Sequence, residues 1–350
     1  MATQQDVARL AGTSSAVVSY VLNNGPRPVS ERMRRRVLEA VAELKYRPNT
    51  AARSLRSGRT QTIGLVVPDG AQLFAEMARE TERLAYDRGY VVMTGNAENS
   101  TEREAEYFGL FQDHRVDGVL LASNPSASLD GLVDAGIPIV LLDQPSPGLP
   151  LSSICVDYRA AAYDATKYLI AGGHRRVGFV GGTAGLPSAD ARHEGWRAAI
   201  EEAGLEPGLA LRIPFTREDG YRYGLEMLSD TDVTAAFISS DQQAVGFLRA
   251  ARQLGVSVPD SFWVMAFDDT DDCLYTNPTL STVRQPLDDI VRRAIELLLA
   301  PPSELSHATL GHELVLRLST GVSGNDERRS APGLASLAES ARAETSTLRP

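Results

Sequence analysis

The chain has 350 residues, 43% of them hydrophobic, which is more than one core ordinarily holds, because single cores stop growing at roughly 250 residues. Its formal net charge is −10, yet residues 1–60 carry 11 Lys or Arg against 4 Asp or Glu, a net of +7, while the remainder carries 24 against 41, a net of −17. No apolar run approaches the roughly 20 residues of a membrane span, Met1–Leu10 lacks the apolar core of a secretory leader, and Cys155 and Cys273 stand far apart with no Cys-x-x-Cys pair, so a cytoplasmic protein with two buried thiols is expected.

Thr3 can cap a first helix, with Asp6 three residues on and Val7, Leu10 and Ala11 along one face, until Gly12 ends it. Ser14 or Ser15 can cap a second, striped by Val18, Val21 and Leu22 and broken by Asn23-Asn24-Gly25-Pro26. Ser30 caps a longer third, with Met33, Val37, Val41 and Leu44 inward, Arg32, Arg34, Arg35 and Arg36 mostly outward, and Pro48 as the stop. Two short helices joined by a tight turn, with a third across them, make a helix-turn-helix, whose second helix enters the major groove of DNA. The charge split agrees with this. A basic segment gathers at phosphate by releasing condensed counterions, and an acidic body is repelled from the duplex.

From Ile63 the pattern changes to short apolar runs alternating with amphipathic segments. Ile63–Val67, Tyr90–Thr94, Gly118–Leu121 and Ile139–Leu142 read as strands, and after Asp157 so do Val177–Val180, Ala235–Ser239 and Trp263–Phe267, with helices such as Asp241–Leu254 between them. Such alternation implies a parallel sheet covered on both faces, and its repetition implies two, with a ligand cleft between the lobes. Residues 323–350 are rich in Gly, Ser, Ala, Glu and Arg without apolar periodicity and are expected to be a disordered tail.

The run Asp6-Val7-Ala8-Arg9-Leu10-Ala11-Gly12-Thr13-Ser14, with Val18-Ser19, Val21-Leu22-Asn23, Val29-Ser30 and Tyr46-Arg47-Pro48-Asn49, resembles the lac repressor/galactose repressor (LacI/GalR) family from about residue 4 to about residue 320. The resemblance implies a small all-α helix-turn-helix headpiece over 1–48 and a hinge helix and linker over 49–60. It implies further an α/β two-lobed core with parallel sheets over 61–322, shaped like a periplasmic binding protein. Lobe 1 would take about 61–157 plus 286–312, and lobe 2 about 158–285 plus 313–322. The family's tetramer-forming heptads are not evident in residues 321–350.

By the same resemblance, Ser15, Ala16 and Tyr20 face base edges, Ser14, Ser19 and Ser30 contact phosphate, and Asn23 and Arg32 flank them. Tyr20 stands where relatives usually carry Arg, and Val17 where they carry Thr. An Arg reads guanine bidentately, at about 1–3 kcal/mol of discrimination, whereas Tyr offers one hydroxyl and a ring suited to a thymine methyl, so a shifted operator is expected. In the hinge, Asn49 opens the helix, Leu55 is the minor-groove wedge and Ala52 lies on the same face; so short a helix is marginal alone and should form on DNA. Implied effector-binding residues are Phe74, Asp143, Arg192, Ser240, Asp241, Asp268 and Gln285. Arg192 and Asp268 can share adjacent hydroxyls of a sugar through complementary donors and acceptors. Ser240 replaces an Asn common in sugar-binding relatives, which leaves nucleosides and phosphorylated metabolites as alternatives to a sugar or sugar derivative.

The partners implied are double-stranded operator DNA, a small effector and a second copy of the chain, with no membrane, cofactor or metal. A solute-binding protein would need an export signal and no basic headpiece. The turn Gly178–Gly185 lacks G-x-G-x-x-G spacing, the acids at Asp268–Asp272 lack the Gly and distal Glu of a calcium loop, and the five histidines suggest no catalytic unit. An enzyme is therefore not expected.

Overall fold

The computed structural model describes residues 2–22, 27–46, 58–122, 134, 136–143, 151–302 and 304–321, in two units, 1–61 and 62–350. The first contains α1 (Gln4–Ala11), α2 (Ser15–Leu22) and α3 (Glu31–Glu43). Each begins on a hydroxyl cap. Thr3 accepts from the Asp6 amide while the Asp6 carboxylate accepts from the Thr3 amide at 2.9 Å. The Ser14 hydroxyl, rather than that of Ser15, accepts from Val17 at 3.3 Å, and Ser30 from Met33 at 3.4 Å. Gly12, at φ +62°, closes α1 in the left-handed conformation a side chain would disfavour. Val7, Ala8, Ala11, Val18, Val21, Val37 and Ala40 form the core. Leu10, expected on the inner face, is instead 44% exposed, because the buried arc of α1 runs through positions 7, 8 and 11 and position 10 falls outside it.

The second unit contains two six-stranded sheets. The first comprises β1 (Thr62–Val67), β2 (Val91–Asn96), β3 (Gly118–Leu121), β4 (Ile139–Leu142), β5 (Ser152–Val156) and β11 (His307–Leu310), in the order β11-β5-β4-β3-β1-β2, all parallel. The second comprises β6 (Val177–Gly181), β7 (Ala210–Arg212), β8 (Ala235–Ile238), β9 (Trp263–Asp268), β10 (Ser281–Arg284) and β12 (Glu313–Val315), in the order β12-β10-β9-β8-β6-β7. Here β12 is antiparallel to β10, an edge departure from the all-parallel expectation. The central strands β3, β4, β6 and β8 are buried along their whole length, as residues covered on both faces must be. The chain crosses between the sheets three times, after β5, β10 and β11.

Helices α4 (Gln72–Tyr86), α5 (Thr101–Asp113), α6 (Tyr158–Ala171), α7 (Pro187–Glu202), α8 (Arg217–Met227), α9 (Asp241–Leu254), α10 (Asp272–Tyr275) and α11 (Leu287–Leu299) come next in chain order. Glycine sets two of their contacts: a Cβ at Gly195 would strike the Arg159 carbonyl of α6, and one at Gly246 the Arg217 carbonyl of α8. Cys155 and Cys273 are both buried free thiols. Among the described residues no helix is long and apolar enough to cross a membrane.

Candidate effector cavity and DNA-reading helix

A cavity of about 910 Å³ lies where the carboxyl ends of the strands meet, within the range of small-molecule sites. Its wall is built from residues at or just past the strand ends: Asp69 after β1, Asn99 after β2, Asp143 after β4, Thr183 after β6, Phe215 after β7 and Asp268 at the end of β9. Binding beyond the carboxyl ends of parallel strands is a general property of open α/β sheets.

Arg192, on α7, is 3% exposed and reaches the cavity floor. Its guanidinium lies 4.1 Å from the Phe267 ring centroid, 4.7 Å from Tyr158 and 5.7 Å from Phe215. Nη1 donates to the Ser239 carbonyl at 2.6 Å, and the buried Nε has no partner. A desolvated cation on the cavity wall favours a ligand that brings it an acceptor. Asp143 and Asp268 stand near it. Burial pushes both carboxyls up, the Asp268 carboxyl well above the usual range, and the positive charge of Arg192 opposes the rise in each. Asp143 sits at φ +60° and Asp268 at φ +122°, conformations that cost non-glycine residues about 1–3 kcal/mol each and that gather at functional sites. The Tyr158 hydroxyl donates to the Asp143 carboxylate and to its carbonyl at 2.8 Å, bracing it from the next strand's helix.

The other sequence-derived positions divide. Phe74 lines the cavity from α4. Ser240 and Asp241 line it too, but their polar atoms are engaged by the protein. Ser240 caps α9 through the Gln243 amide at 3.2 Å. Asp241 accepts from the Thr270 amide at 2.7 Å, the Thr270 hydroxyl at 3.0 Å and the Thr282 hydroxyl at 2.8 Å. Desolvation nevertheless pushes its carboxyl up to about 7. Gln285 is not on the wall; it donates to Asp268 Oδ1 at 2.9 Å and so orients that carboxylate from behind. Two of the acids at 268–272 are likewise spoken for, Asp269 by Arg284 and Arg317 at 2.6 Å each and Asp272 by Arg217.

Tyr158, Phe215 and Phe267, the rings around Arg192, were not legible as site residues, nor was Glu104, which is buried on the cavity wall. Phe267 adjoins Asp268 at a strand end, a usable signal; Tyr158, Phe215 and Glu104 are far away in sequence and carry no motif.

In the first unit, Ser15, Ala16, Ser19 and Tyr20 occupy one arc of α2, opposite the buried Val18 and Val21. Ser14, Ser30 and Arg32 are exposed at the amino ends of α2 and α3. Gln4 Nε2 donates to the Ser15 carbonyl at 2.9 Å, fixing α2 against α1. Asn23, Asn49, Ala52, Leu55, the rest of the hinge helix and the 323–350 tail lie outside the described residues.

A three-helix unit that presents a polar helix face, and a two-sheet core with a ligand-sized cavity, together define an effector-controlled DNA-binding regulator. Residues 3–49 match the family described as bacterial regulatory proteins, lacI family, and residues 166–320 the periplasmic binding protein-like domain. The chain is 34% identical over 331 residues to the HTH-type transcriptional repressor PurR of Pasteurella multocida (strain Pm70), spanning 91% of this chain and 98% of that one. To catabolite control protein A of Priestia megaterium it is 33% identical over 307 residues, 85% of this chain and 91% of the relative. Among solved structures, the lac repressor dimer bound to operator and the anti-inducer ONPF superposes with a TM-score of 0.80 at 25% identity, covering 91% of this chain and 99% of that one. The transcriptional regulator CelR in complex with cellobiose gives 0.69 at 28% identity, covering 91% and 100%. The chain belongs to the lacI family: it is a transcriptional repressor with a helix-turn-helix DNA-binding domain and an effector-binding core, not an enzyme.

Proposed function

We propose that the protein acts as a dimer on a pseudopalindromic operator, reads it through the Ser15–Tyr20 face of α2, and is controlled by a neutral sugar or sugar derivative in the 910 Å³ cavity. The observation that carries the ligand class is Arg192, a buried cation on the cavity wall packed against three rings, with the carboxyl groups of Asp143 and Asp268 on the same wall. Hydroxyl groups can serve both partners at once, accepting from the guanidinium and donating to the carboxylates, and a pyranose face can rest on Phe74 or Phe215, the rings that line the cavity. Among the described lining residues Arg192 is the only cation, against Asp69, Glu104, Asp143, Asp241 and Asp268. That balance favours a neutral ligand over a phosphorylated metabolite, because a phosphate would find a single cation among the described lining residues.

In this reading the two α2 helices of a dimer enter successive major grooves. The hinge residues Asn49, Ala52 and Leu55 contact the operator between the two half-sites. The sugar shifts DNA affinity by its differential affinity for two lobe arrangements. The test is selection of genomic fragments by the purified protein at fixed salt, with and without a panel of neutral and phosphorylated sugars. An inverted repeat of about 20 base pairs whose retention one neutral sugar alters is expected. Retention that is salt-sensitive and sequence-independent would refute specific readout by the Tyr20 face, and a response to phosphorylated sugars alone would refute the ligand class. Tyr20→Ala should remove preference for the repeat while leaving nonspecific retention intact.

A further inference from the structure

The turn between β6 and α7 walls the cavity on the side of the second sheet, through Thr183, Gly185, Leu186, Pro187 and Ser188. Gly185 has φ +91°, and glycine loses more chain entropy on ordering than any other residue. Leu186, in front of α7, supplies no side-chain cap, and Pro187 opens the helix without an amide to donate.

Two side chains grip the ends of the turn. Asp190, in the first turn of α7, accepts from the Gly185 amide with both carboxylate oxygens, at 3.1 and 3.3 Å. Arg212, on the edge strand β7 and in register with Gly181, donates from Nε to the Gly182 carbonyl at 2.7 Å and from Nη2 to Asp190 at 2.5 Å. A single ion pair thus grips both ends of the turn, Gly182 by its carbonyl and Gly185 by its amide. Gly182 in turn lies against the Phe215 ring and the Ala189 Cβ, too close for a side chain of its own. Phe215 is one of the rings around Arg192, so a displaced turn would move a recognition group as well as the wall.

We propose that the Asp190–Arg212 pair is the positioning element that fixes the cavity wall at 183–188 and so limits which substituents an effector can present there. The proposal rests on the reading that this cavity holds the effector. The hydrogen bond from Arg212 holds the Asp190 carboxyl below its usual range, so the pair stays ionised at neutral pH.

The test uses the full chain in three variants, Arg212→Ala, Asp190→Asn and Arg212→Lys. Amide hydrogen exchange in the segment 181–191 is expected to rise about tenfold in Arg212→Ala, a charge-assisted contact discounted for its partial exposure. Asp190→Asn keeps an acceptor for Gly185 and should fall between that variant and the wild type. Arg212→Lys keeps the charge without the planar fork and should restore protection only in part. Exchange in β8 should not change. Titration with neutral mono- and disaccharides, ribose and cellobiose among them, should then show affinity for the sugars the wild type binds lowered about fivefold and their ranking altered in Arg212→Ala. Unchanged exchange at 181–191 overturns the clamp. Faster exchange with every sugar affinity and the ranking intact overturns its role in effector choice. A wild type that binds no sugar, with the turn still loosened in Arg212→Ala, overturns the effector reading while leaving the clamp standing.

Discussion

Replacing Arg192 by Met removes the guanidinium but keeps an apolar stem of comparable length, so the expected loss separates into two parts. One is independent of pH: the contacts with the Phe267 and Tyr158 rings, at 4.1 and 4.7 Å, and the hydrogen bond to the Ser239 carbonyl. Cation–π contact in a desolvated site contributes about 2 kcal/mol and a charge-assisted hydrogen bond about 1.5–3 kcal/mol; with Met refilling part of the space, about 3 kcal/mol should remain. The other part depends on pH. Asp143 and Asp268 have folded pKa values raised above 3.8 by burial, so each contributes stability that is full below that value and lost as pH rises through the folded pKa. Arg192 limits the rise, and without it the loss grows with pH, by about 1.4 kcal/mol for each further unit of elevation. The chain's two tryptophans, Trp196 and Trp263, both pack in the second lobe, Trp196 one turn along α7 from Arg192. Urea unfolding followed by tryptophan fluorescence therefore reads this lobe directly. Arg192→Met should cost more at pH 8 than at pH 5. An equal loss at the two pH values would refute the role of Arg192 as counter-charge to the two carboxylates.

Asp241→Ala leaves the Thr270 amide and the Thr282 hydroxyl without their buried acceptor, and a loss of about 3 kcal/mol is expected in the same urea assay, against about 1 kcal/mol for Thr282→Val, which removes one donor and its need together. Gly246→Ala drives a methyl into the Arg217 carbonyl, which is backbone and cannot swing aside; separation of α8 from α9 at about 1–3 kcal/mol should appear as a lowered thermal midpoint, and an unchanged midpoint would mean that the two helices slide freely.

Much of the fold was legible because it is written in local chemistry. Thr3, Ser14 and Ser30 are caps whose hydroxyls need only the amide three residues on, and β3 and β4 begin and end where the apolar runs Gly118–Leu121 and Ile139–Leu142 do. The strands without a sequence signature, β5, β7, β10, β11 and β12, are short or polar: Ser-Ser-Ile-Cys-Val, Ser-Thr-Val-Arg and His-Ala-Thr-Leu carry too few apolar residues for any period to stand out. Their strand character comes from neighbours already in the sheet, which supply the hydrogen bonds and the cover.

The sequence by itself determined the two-part plan, a basic helical unit followed by an acidic α/β core, because charge and periodicity are summed along the chain and need no partner. Only the tertiary structure decided which polar side chains remain available to a ligand. Asp241 and Asp268 look alike as acids at strand ends, yet Asp241 is engaged by Thr270 and Thr282, while Asp268 faces the cavity with Gln285 behind it. Hydrogen-bond satisfaction is settled by groups dozens of residues apart, and no local pattern encodes it.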